Sequence, residues 1–64
     1  MKQGDLVYIP RSTILLTEDF GVHVTSKPIK AIYWEQDSTL SINSIIYYNN
    51  SFHYIRTKHI YPIT

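Results

Sequence analysis

The chain has 64 residues and no cysteine, so it is one small domain that no disulfide braces. An apolar share of 44% excludes a disordered chain, and six basic against five acidic residues leave a net charge of +1, which confers no general affinity for polyanions. No apolar run approaches the ~20 residues of a membrane span, and Met1-Lys2-Gln3-Gly4-Asp5 is too polar to open a secretory leader, so a cytoplasmic protein without a membrane partner is expected.

Strand-forming residues dominate. Ile alone occurs ten times, and Val, Thr and Tyr add to it. No stretch holds a clean helical apolar period, so no helix longer than a turn or two is expected. Gly4-Asp5 opens a first strand, Leu6 to Ile9, which Pro10 closes. A long first loop follows from Arg11 to Lys27, with Val22-His23-Val24 as the return arm of a loose hairpin. Pro28 starts a second strand, Ile29 to Trp34, and Gln36-Asp37-Ser38 turns into a third from about Thr39 to Tyr48. Leu40, Ile42, Ile46 and Tyr48 share one face of that strand, with Ser44 among them and a bulge expected near Asn43-Ser44. Asn49-Asn50 tolerates positive φ and marks a hairpin tip before a fourth strand, Phe52 to Arg56. Thr57-Lys58-His59 suits one 3₁₀ turn, and Ile60 to Ile63 is a final short strand. The expected core is Val7, Ile9, Ala31, Ile42, Ile46, Ile55 and Ile60.

Two segments carry a family resemblance. Lys2-Gln3-Gly4-Asp5-Leu6-Val7-Tyr8-Ile9 is similar to the Gly-Asp-x-Val-x-Val opening of many SH3-like barrels, including KOW and Tudor-type modules. Tyr54-Ile55-Arg56-Thr57-Lys58-His59-Ile60-Tyr61-Pro62 is similar to the ending of eukaryotic SH3 domains, which runs aromatic, aliphatic, Pro-Ser-Asn-Tyr-Val. The resemblance implies an all-β, five-stranded SH3-like barrel over residues 1–64, with a long first loop, an Asn-Asn hairpin and a 3₁₀ turn before the last strand. Arg56 and His59 stand where SH3 domains place the Pro and Tyr of their peptide groove. The Ala-Leu-Tyr-Asp-Tyr motif is absent, and Trp34 precedes the second loop rather than following it. A proline-rich ligand is therefore not expected. The whole chain also resembles the small SH3-like proteins of tailed bacteriophages, in its opening and in the pattern of Tyr54, Lys58, Ile60 and Tyr61. Those understood act by binding a host protein or disabling a host defence.

The residues carry little chemistry of their own. His23, His53 and His59 have no ligand spacing, so no metal or other cofactor is expected. Glu18-Asp19 and Glu35-x-Asp37 lie in turns, and no serine sits in a nucleophile elbow, so an enzyme is not expected. Aromatics beside basic residues (Trp34, Tyr47, Phe52, Tyr54, Arg56, Lys58) would suit nucleic acid or a nucleotide, but the near-zero net charge gives a poor electrostatic footprint. Nine aromatics exceed what so small a core encloses, and exposed Tyr and Trp anchor protein interfaces. The expected function is a non-enzymatic module that binds a host protein through Tyr8, Trp34, Tyr54, Arg56, His59 and Tyr61. Nucleic acid or nucleotide binding, including ligand sequestration against a host defence, is the alternative. Exposed strand edges also open a route to a homo-oligomer.

Overall fold

The computed structural model describes residues 1–39 and 42–63. Seven strands form one antiparallel sheet: β1 (Leu6–Ile9), β2 (Ile14–Thr17), β3 (Val22–Val24), β4 (Ile29–Gln36), β5 (Asn43–Tyr48), β6 (Ser51–Arg56) and β7 (Tyr61–Pro62). A 3₁₀ turn, Thr57–His59, separates the last two. The spatial order is β3-β2-β6-β5-β4-β1-β7, so β3 and β7 are the edges of an open hydrogen-bonded sheet. The all-β class expected from the sequence is what the chain adopts, with seven strands rather than five. The two extra strands come from the segment expected as a long loop with Val22-His23-Val24 as the return arm of a loose hairpin. β3 is that arm, and with β2 it forms a regular hairpin that joins the sheet through Leu16 opposite Tyr54 and Thr17 opposite His53.

Buried threonines explain why this hairpin is ordered. At its base the Thr13 amide donates to Thr25 Oγ1 at 2.9 Å, and the Thr13 and Thr25 hydroxyls both donate to the Pro10 carbonyl at 2.8 Å. Both residues are buried, so these bonds exchange little with water. At its tip the Thr17 hydroxyl donates to Asp19 Oδ1 and accepts from the Gly21 amide at 2.8 Å. A Cβ on Gly21 would lie 2.8 Å from Thr17 Oγ1, which is why glycine closes this turn.

Seven strands laid flat would be about 30 Å across but only about 10 Å thick. The molecule measures 29 × 28 × 22 Å, so the sheet curls strongly. Its concave face encloses one core of Val7, Ile9, Leu15, Ile29, Ala31, Ile46, Ile55 and Ile60, flanked by Tyr33 and Tyr48. Six of the seven expected core residues are in it. Ile42 is the exception. It is 54% exposed because β5 begins at Asn43 rather than near Thr39, which leaves Ile42 in the turn before the strand. Leu15 and Ile29 supply the remaining core volume. Ser44, fully buried, lies 2.6 Å from the Thr57 hydroxyl and ties β5 to the 3₁₀ turn. Leu40, expected on the same face as Ile46, lies outside the described residues.

The bulge sits on the neighbouring strand. Tyr33 pairs with Ile46 and Glu35 with Ile45, so Trp34 is the extra residue of β4, not a residue near Asn43-Ser44. At the hairpin tip Asn49 and Asn50 both take positive φ, 53° and 66°, as a tight two-residue turn between twisted strands requires.

Candidate functional site

Strand alternation sends the even-numbered residues of β6 to the convex face: Phe52, Tyr54 and Arg56 point out, while His53 and Ile55 point in. Tyr54 is flanked by Leu16 of β2 and Ile45 of β5. Phe52 is flanked by Tyr47, which is itself next to Ile32 and then Leu6. The convex face thus carries two apolar rows across the sheet. Leu6, Leu16, Ile32, Trp34 and Tyr47 on this face are each at least 36% exposed. Isolated exposed apolar residues are ordinary, whereas contiguous rows mark an interaction surface.

Only the Thr17 end of β2 pairs with β6, so the Ile14 end diverges from the sheet and opens a groove. The groove encloses about 530 Å³ between Ser12-Thr13-Ile14 on one wall and Arg56, Lys58 and His59 on the other, with Leu16 and Tyr54 between them. A second hollow of about 430 Å³ continues past Leu16, Asn43 and Tyr54 and is bordered by Glu18, Phe20, Asp37 and Thr39. The two adjoin at Leu16, Asn43 and Tyr54 and together make a trough, with basic residues along one hollow and acidic residues along the other.

Of the six residues that the sequence points to, the structure brings Tyr54, Arg56 and His59 together at this trough. Trp34 lies beside it. The bulge carries its ring to within 5.4 Å of Phe52, edge-on, and with Tyr54 and Glu18 it borders a shallower depression. Phe52 in turn meets Tyr47 at 5.1 Å. Tyr8 and Tyr61 pair with one another, their centroids 6.4 Å apart, on β1 and β7 at the far edge of the sheet order. They do not line the trough. Leu16 and Phe20 do, and the reading of the sequence passed over both.

Phe20 is the most exposed large apolar residue among the described residues, at 96%, and it holds φ at +67°. Positive φ is costly for a bulky residue, and such strain concentrates at binding sites. The only signal for it in the sequence is an aromatic ring placed between Asp19 and Gly21 in a turn. Next to it, Asp19 has its pKa lowered, first by the hydrogen bond from the Thr17 hydroxyl and then by backbone N–H groups, so the acidic tip keeps its charge. Glu18 also accepts a 3.3 Å bond from the Phe52 amide, which fastens the tip to β6.

The three histidines do not converge, and no cluster of three or more metal-ligating side chains occurs among the described residues. His53 is buried beside Tyr48, and its Nδ1 has no hydrogen-bond partner among the described residues. No helix among the described residues is long and apolar enough to cross a membrane. Compared with known proteins, the chain matches no family model, no curated protein and no solved structure.

Proposed function

We propose that this chain is an SH3-like small barrel of tailed-phage type. In this reading it acts in the host cytoplasm, without catalysis, by binding a host protein. Support for the barrel comes from the strong curl of the sheet, the position of β1 between β4 and β7, and the 3₁₀ turn before the last strand. The trough carries the functional reading. Its two hollows adjoin at Leu16 and Tyr54, with Arg56 and Lys58 along one and Glu18 and Asp37 along the other. Such a trough suits an extended protein segment with a hydrophobic anchor between charges of opposite sign. Arg56, Lys58 and His59 beside Tyr54 favour the second reading, a nucleic acid or nucleotide. The acidic residues of the same trough repel a polyanion.

The test is a pull-down from host lysate with and without nuclease, repeated with Tyr54→Ala and Arg56→Ala after circular dichroism confirms that both fold. The expected result is a protein retained after nuclease and lost with either variant. Retention of nucleic acid alone, with affinity collapsing at moderate salt, establishes the second reading.

A further inference from the structure

The hydrogen-bonding phase of the β2–β3 hairpin determines what its outer strand offers. Thr17 N–H donates to the Gly21 carbonyl at 2.9 Å and Thr25 N–H to the Thr13 carbonyl at 3.0 Å. Hydrogen-bonded pairs alternate along an antiparallel ladder, so Leu15 and His23 form the bonded pair between these two. His23 therefore directs its N–H and C=O toward β2. Val22 and Val24 direct theirs away from the sheet, and no bond from a loop or side chain among the described residues reaches them.

Natural sheets blunt such edges with lysine, proline or a bulge. The opposite edge, β7, has Pro62, which lacks an N–H. Val22-His23-Val24 has none of these protections, and its valines are 64% and 51% exposed. The outward groups of Val22 and Val24 are placed symmetrically about His23, so a two-fold axis through His23 makes the edge its own complement. Val22 then faces Val24 of a second copy as a hydrogen-bonded pair, and the same contact repeats across the axis. The valine side chains extend the apolar rows of Leu16 and Ile14 into the second copy. A net charge of +1 per chain offers little repulsion.

From this self-complementary register we infer that β3 is a self-association edge: two copies join β3 to β3, antiparallel and centred on His23, into one continuous sheet. The inference does not depend on what the trough binds.

Sedimentation of the intact chain over a wide concentration range tests it. The expected species has twice the chain mass and dissociates on dilution. Val24→Pro removes an outward N–H that the chain itself does not use, so it should keep the fold by circular dichroism and weaken pairing by about tenfold or more. His23 lies opposite its own copy, so His23→Asp and His23→Lys should each be monomeric, while an equimolar mixture should recover the paired mass. The mixture decides the matter even if the proline variant fails to fold. A monomer at every concentration, pairing unaffected in a folded Val24→Pro, or pairing that persists in each His23 variant alone overturns the inference.

Discussion

Asn49 and Asn50 sit in left-handed backbone, where a Cβ is ordinarily unfavourable and the short polar side chain of Asn is best tolerated. Asn50→Gly should be neutral or stabilising. Asn50→Val should cost about 1–2 kcal/mol, read as a lowered urea midpoint at unchanged slope. Asp19 gives a prediction of another kind. Its pKa in the folded chain is below the ordinary carboxylate value, so its contribution to stability is present above the unfolded pKa, near 3.8. That contribution is lost as pH falls through the lower, folded value. Asp19→Asn should therefore be less stable than the parent at neutral pH, and the gap should close in strong acid. Urea midpoints for both proteins at neutral and strongly acidic pH measure this. Phe20, one residue away, shows how an exposed residue with unusual backbone escapes a sequence reading: neither its exposure nor its φ has any periodic signature.

Among the elements, the β2–β3 hairpin, expected only in its return arm, Val22 to Val24, otherwise departs furthest from the sequence expectation. Its order rests on Thr13, Thr25 and the Pro10 carbonyl, which meet only after the chain has folded back on itself. Thr25→Val keeps the shape and removes the hydroxyl, leaving the Thr13 amide buried without its side-chain acceptor. The expected cost is about 1–3 kcal/mol, with faster tryptic cleavage after Arg11, at the base of the hairpin, as it loosens. Turns written in local chemistry were legible: Gly4-Asp5 before β1, Asn49-Asn50 between β5 and β6, and the polar 3₁₀ turn at Thr57–His59. The bulge was not. One extra residue restores alternation equally well on either strand of a pair, and only the register of β4 against β5 assigns it to Trp34. Ile42 illustrates the same limit, since the strand boundary, at Asn43 rather than near Thr39, decides whether its side chain is buried.

For the molecule as a whole, the core is thin and shared. Ile55 is 2% exposed within a cluster drawn from β1, β2, β4, β5, β6 and the residue after the 3₁₀ turn. Ile55→Ala should cost about 2–5 kcal/mol, a large part of the ~5–15 kcal/mol that holds a domain together. Thermal unfolding should show the loss as a much lower midpoint, or as no cooperative transition. The placement of the residues expected at the surface was legible in part. Alternation correctly turned Tyr54 and Arg56 outward. Grouping them with Tyr8 and Tyr61 required the sheet order, which places those two tyrosines at the other end. That order also has a temporal side. β4, β5 and β6 follow one another along the chain and pair as a meander, whereas β1 needs β4 on one side and β7 on the other. Closing such distant contacts costs chain entropy before any reward, so the meander is the natural nucleus and β7 the last strand to dock. A substitution between β5 and β6 would then slow refolding, while one at Tyr61 would leave the refolding rate almost untouched and hasten unfolding.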